Sequence, residues 1–166
     1  MLGLSGSGKS TLARLLARRD NAILIRSDVV RKHLCGLPID QPAPAEAYGP
    51  AMAQVCYARV LELGLMLAAQ GRTVILDAKY DHRVQRSLLI ERARAAGIPL
   101  RLLHCVAPMA VLQERVARRA HDASDATVAV LVRQSFQALT PAEQALTTEL
   151  DTTVEPAALV ASIPPL

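Results

Sequence analysis

The chain has 166 residues, 51% of them hydrophobic and 2% aromatic, and 19 Lys and Arg against 15 Asp and Glu give a net charge of +4. That length suits one domain, so residues 1–166 are expected to form a single unit, with a core rich in Ala and Leu that points to many packed helices. One Phe, three Tyr and no Trp supply too few stacking platforms for a reader of single-stranded nucleic acid, and Cys35, Cys56 and Cys105 do not make a disulfide framework.

Along the chain, apolar runs of strand length alternate with stretches of helical period, the pattern of an α/β fold with a parallel sheet. After Met1 and Leu2, the segment Gly3-Leu4-Ser5-Gly6-Ser7-Gly8-Lys9-Ser10-Thr11 matches G-x-x-x-x-G-K-[ST], the Walker A loop. Its glycines let successive N–H groups converge on phosphate oxygens. The helix that follows, expected over Lys9–Arg19 from the spacing of Leu12, Leu15 and Leu16, aims the positive end of its dipole at the same place. Ser5, Gly6, Ser7, Gly8, Lys9, Ser10 and Thr11 are therefore the candidate nucleotide-binding set. Lys9 would reach the β and γ phosphates, and the Ser10 hydroxyl would bind Mg²⁺. Such a loop normally leaves a buried strand of about five or six residues, whereas two residues precede Gly3 here. The expectation is a truncated start, with the first strand largely missing and its neighbours unpaired or forced together.

A strand expected over Ala22–Arg26 leads to Asp28, at the mouth of the cleft where parallel sheets bind ligands. Arg31 falls one helical turn later on the same face. Asp28 is the candidate base for an acceptor hydroxyl, and Ser27 or Asp28 the candidate cap of the helix. Arg31 would orient the acceptor or the transferring phosphoryl group. Three prolines make residues 36–44 a loop. Met52, Val55, Cys56, Val60, Leu63 and Leu67 then lay an apolar stripe along a longer helix, broken by Glu62 and Gly64 and read as too short to span a bilayer. No signal-peptide pattern opens the chain, and a cytoplasmic protein without a membrane partner is expected.

Thr73–Leu76 reads as a strand running into Asp77, a Walker B-like acid that would hold Mg²⁺ together with Ser10. Strands are also expected over Leu100–Val106 and Leu146–Asp151, and helices near His82–Ala96, Met109–Arg119, Asp125–Ala138 and Pro156–Ala161. Arg115 and Arg119 are four apart on one helix face, before a short polar segment with Ser124 as a cap candidate. That arrangement suits a lid whose arginines neutralise a γ-phosphate and exclude water. Arg118 reads as solvated. Lys79, His82, Arg83 and Arg86 are open between acceptor contacts and a solvated face, while His33, His104 and His121 lack metal-ligand spacing and read as structural.

With these residues in place, the chain resembles a P-loop kinase of the zeta-toxin-like AAA family ATPase group, close to gluconate kinases, adenylylsulfate kinases and polynucleotide 5′-kinases. The resemblance rests on GLSGSGKST at 3–11, RSDVVRK at 26–32, VILDA at 74–78, LLHCVAP at 102–108 and ERVARRAHDASDATVAVL at 114–131. It implies a three-layer P-loop NTPase sandwich with a parallel sheet of order 2-3-1-4-5, ATP and Mg²⁺ as cofactors, and transfer of the γ-phosphoryl group to a small hydroxyl compound. It puts Lys9 and Arg119 on the phosphates, Ser10 on Mg²⁺, Asp28 as base, and Arg115 against adenine, where a planar guanidinium can stack. Similar domains also stand behind an aminoglycoside-phosphotransferase-like domain, so fusion to, or derivation from, such a longer chain is expected. Lys79 departs from the family, which usually carries a small hydroxyl residue there. A polynucleotide 5′-kinase, a toxin-like nucleotide-sugar kinase and an ATP-dependent switch or degenerate nucleotide-binding module share these motifs; nucleic acid is not the expected partner.

Overall fold

The computed structural model describes residues 1–119 and 122–166. Ala120 and His121 lie outside them, and with them the reading of His121. Among the described residues the strands are β1 (Ile23–Arg26), β2 (Val74–Asp77), β3 (Leu102–Val106) and β4 (Thr147–Asp151), each within about two residues of its expected place. The helices are α1 (Lys9–Arg19), α2 (Ser27–Leu34), α3 (Pro50–Ala69), α4 (Arg83–Ala95), α5 (Met109–Ala117), α6 (Val128–Val132), α7 (Pro141–Gln144) and α8 (Pro156–Ser162), with a short 3₁₀ helix at Ala45–Tyr48.

The ladders are two parallel pairs, β1 with β2 and β3 with β4. Met1–Gly3 lies between them in extended form. The Met1 nitrogen donates to Leu76 O at 2.9 Å and the Gly3 N–H to Lys79 O at 3.1 Å, on the β2 side. On the other side, Leu2 N–H donates to Leu103 O and Leu2 O accepts from Cys105 N–H, both at 2.9 Å, making a parallel bridge to His104. The neighbours of the expected first strand are thus neither unpaired nor forced together: three residues hold the two ladders side by side.

Side chains alternate across this surface as the strand period requires. Met1, Ile75, Leu103, Cys105 and Leu150 pack against Leu12 and Leu16 of α1 and Ile163 beside α8. Leu2 and Leu102 face the opposite way, onto Leu61 of α3 and Leu89 of α4. Helices therefore cover both faces, in three layers.

Three elements differ from expectation, one of them the single turn of α7, which no expected helix covers and which Thr140 and Glu143 close with a capping box. The helix expected over Asp125–Ala138 shrinks to the five residues of α6, capped by Thr127 rather than Ser124. Beyond it the chain finds better partners elsewhere: the Gln134 amide pairs with Ser5, and the Gln137 N–H donates to Asp81 O at 2.9 Å. α3 is longer than its interruptions suggested: it has 20 residues, and an 18-residue stretch of it with mean hydropathy 1.3 meets the length and composition a membrane crossing needs. Here Cys56, Val60, Leu61 and Gly64 bury its inner face against the strands and α2.

Candidate functional site

The glycine loop passes from Gly3 into α1 with Gly6 at φ +80° and Gly8 at φ +77°, a region that costs any other residue. Gly6 has a second reason to lack a side chain: a Cβ there would stand 2.5 Å from the Leu112 carbonyl oxygen. Gly8 is the N-cap of α1 and offers no side-chain acceptor, so no cap occupies the first-turn N–H groups, the donors that an anion takes up at a helix N-terminus.

Over this loop lies a cavity of about 390 Å³, lined among others by Lys9, Ser10, Thr11, Asp28, Arg115 and Arg119, within the range of small-molecule sites. Residues far apart in sequence converge here because the glycine loop, the start of α2 and the end of α5 all stand at the carboxyl ends of strands. Lys9 Nζ donates to Leu4 O at 3.2 Å, folded back over its own loop. Among the described residues, Ser7 Oγ, Arg119 Nη1 and Asp77 Oδ1 are buried without a hydrogen-bond partner. Such atoms are costly unless a ligand satisfies them.

Asp77 ends β2 directly opposite Arg26 in the ladder, and Arg26 Nε donates to Asp77 Oδ2 at 3.2 Å. The same guanidinium reaches Asp122 Oδ1 at 2.7 Å, and Asp122 also accepts from Arg14 at 3.1 Å and from the Ser124 N–H at 2.9 Å. Burial alone would raise the Asp122 carboxyl, but these donors hold it well below the usual carboxylate range. Asp77 keeps one carboxylate oxygen free of protein donors, and Ser10 lines the cavity. Hydroxyl and carboxylate oxygens are the hard donors that Mg²⁺ takes, but of the two residues only Ser10 is among those lining the cavity.

Several candidates take other positions. Arg31 does not line the cavity; it is 7% exposed, donates to Ala47 O at 2.7 Å and lies over the Tyr48 ring at 5.0 Å. α2 carries the Arg31 side chain toward the 3₁₀ turn. Ser5 is taken up by Gln134, which accepts from its N–H and donates to its Oγ, both at 3.0 Å. Arg119 follows α5 instead of extending its face, because the helix ends at Ala117. Arg115 donates to Thr152 Oγ1 at 2.9 Å and Thr152 O at 2.6 Å, so the loop after β4 holds its guanidinium on the cavity wall. Neither Ser27 nor Asp28 caps α2, whose N-cap is Arg26.

Lys79 pairs with Asp81 at 2.7 Å, His82 is exposed, and Arg118 pairs with Glu114 in solvent. Arg86 is a structural residue at 0% exposure, bound to Glu143 at 2.7 Å. Sequence reasoning missed Arg26, Asp122 and Thr152, which reach the site through contacts 37 or more residues away in sequence. No local pattern marks them.

A family model described as AAA domain matches residues 1–141. Uncharacterized proteins of Mycobacterium tuberculosis and Mycobacterium bovis are 31% identical over 132 residues, covering 77% of this chain. The chain spans about a quarter of the length of these curated relatives, 26%. Among solved structures, a sugar kinase from Janibacter sp. HTCC2649 superposes with a TM-score of 0.68 at 23% identity, covering 96% of this chain and 87% of that one. A gluconokinase from Sinorhizobium meliloti 1021 gives 0.64 at 22%, covering 96% and 85%. The Mycobacterium tuberculosis APS kinase, in complex with AMPPNP and APS, gives 0.57 at 24%, covering 70% and 66%. At these identities the likeness shows a common fold, that of P-loop kinases.

Proposed function

The chain belongs to the AAA domain family, and from that premise we propose that it is a phosphotransferase passing the γ-phosphoryl group of ATP to a hydroxyl of a small molecule. The observation that carries this reading is the convergence of Lys9, Asp28 and Arg119 on one cavity above an uncapped helix N-terminus. A carboxylate beside the phosphate cradle is placed to take the proton of an acceptor hydroxyl.

In this reading the loop N–H groups and Lys9 hold the phosphates. Ser10 and Asp77 are the residues that would hold Mg²⁺, which supplies charge neutralisation on the β and γ oxygens. Asp28 accepts the proton of the acceptor hydroxyl as that oxygen bonds to the γ-phosphorus and the bond from phosphorus to the bridging oxygen breaks, leaving ADP. Arg119 offsets the charge on the equatorial oxygens, and Arg115, fixed by Thr152, walls the nucleotide side. Arg31 shapes the acceptor side through Ala47 and Tyr48.

The test is a phosphate-transfer screen over sugars, sugar acids, nucleosides, aminoglycosides and 5′-hydroxyl oligonucleotides. Lys9→Ala is expected to abolish transfer. Asp28→Asn is expected to lower turnover by about 10²-fold or more, the usual share of general-base catalysis, while nucleotide affinity stays near that of the parent. Full turnover by the Asp28 variant on the true acceptor would refute its role, and ATP consumption without acceptor dependence would favour a switch.

A further inference from the structure

Asp125 does not line the phosphate cavity, yet its carboxylate gathers three donors from the acceptor side of the molecule. Oδ1 accepts from Lys32 Nζ at 3.0 Å, and Oδ2 accepts from the Ala43 N–H at 2.8 Å and the Tyr48 hydroxyl at 2.7 Å. These donors bracket the proline-rich connection between α2 and α3. Three residues before Asp125, Asp122 does line the cavity and is fastened to Arg14 and Arg26. One short segment therefore touches the phosphate side with one carboxylate and the acceptor side with the next.

Lys32 makes the second tie hard to release. It is 1% exposed, and besides Asp125 its ammonium donates to Ile39 O at 2.9 Å. Withdrawing Asp125 alone would strand a buried charge, which is strongly unfavourable. When the segment moves, the connection therefore moves with it. The connection in turn bears on α2, where Arg31 donates to Ala47 O and lies over Tyr48, one turn from Asp28.

We propose that Asp125 is a positioning residue that couples nucleotide binding to ordering of the acceptor side: a nucleotide that draws the 122–127 segment onto the phosphates draws the 36–48 connection down over the acceptor. The inference rests on the phosphotransferase reading. Coupling of this kind is reciprocal, so the acceptor tightens nucleotide binding by the same factor.

The test is hydrogen exchange of amides 36–48 in the 166-residue chain, with and without saturating Mg²⁺ and AMPPNP. In the parent, the nucleotide is expected to slow exchange there by about fivefold or more, the lower end of usual coupling strengths. Asp125→Ala is expected to lose that nucleotide-dependent increment. A residue that merely staples the loop would change exchange equally with and without nucleotide. Where Asp125→Ala does not fold, Tyr48→Phe decides, since it removes one donor and leaves the ring under Arg31; a reduced increment supports the coupling. An unchanged increment in the deciding variant, or none in nucleotide-bound parent, overturns the coupling alone. Failure of the parent to bind AMPPNP overturns the phosphotransferase reading and the coupling with it.

Discussion

Arg86 places a full positive charge where no water reaches it, and each of its five N–H groups has an acceptor. Nε and Nη2 donate to the two oxygens of Glu143, Nη1 to Tyr80 O and Asp81 O, and Nη2 also to Gln137 O and Ala138 O. This web holds Tyr80 at φ +46°, a strained value for a residue with a side chain. It also fastens the chain after α6 beneath the sheet end. Arg86→Met is expected to cost about 3–5 kcal/mol in urea unfolding, because Glu143 would be left as a buried unpaired charge. A cost under about 1 kcal/mol, that of an exposed pair, would show that the web is not structural. Sequence alone left Arg86 open between acceptor contact and solvated face, because its partner Glu143 lies 57 residues away.

At the scale of elements, α3 meets the sheet through Gly64, where a Cβ would stand 3.0 Å and 3.3 Å from the two Leu76 methyl carbons. Two effects compete in Gly64→Ala: a gain of up to about 1 kcal/mol in helix propensity and a small push on Leu76. A near-neutral result is expected. Gly64→Val adds branched volume that the interface cannot absorb, and a loss of about 1–3 kcal/mol, several degrees in Tm, is expected in thermal unfolding. An unchanged Tm would mean that α3 does not sit this close to β2. The apolar stripe of α3 was legible from its period; that Gly64 is the contact point was not, because only packing distinguishes a close approach from a break in the stripe. The reverse holds for α6, whose expected helical pattern lost to tertiary hydrogen bonds from Gln134 and Gln137.

For the molecule as a whole, the buried groups set a pH window. Burial lowers His104, so the folded state favours neutral imidazole. The unfolded chain binds that proton more readily, and stability falls as pH drops through about 6.5. Asp122 and Asp125 are held below their ordinary range against the effect of burial. Their contribution is complete above about pH 4, the unfolded value, and is lost as pH falls through the folded one. On the alkaline side, burial pushes Cys105 up to about 11 and raises Tyr57 and Tyr80. Their neutral forms favour the folded state below the unfolded values and cease to do so as pH climbs above about 8.5. Denaturant unfolding from pH 4 to 10 is therefore expected to peak between about pH 7 and 8, and His104→Gln to flatten the slope between pH 7 and 5. An unchanged slope in that variant would remove His104 from the account.

The sequence by itself determined the nucleotide loop, the alternation of strands and helices and the placing of Asp28 and Asp77 at strand ends, because each depends on contacts within a few residues: glycine torsions, a helix dipole, a strand period. Tertiary structure decided the rest. It put Arg26 beside Asp77 through ladder register, took Arg31 out of the cavity lining, closed the gap between the two ladders with Met1–Gly3, and tied Asp122 to Arg26 and Asp125 to Lys32. Those contacts pair charges and backbone groups far apart along the chain, and their strength depends on burial, which no local pattern specifies.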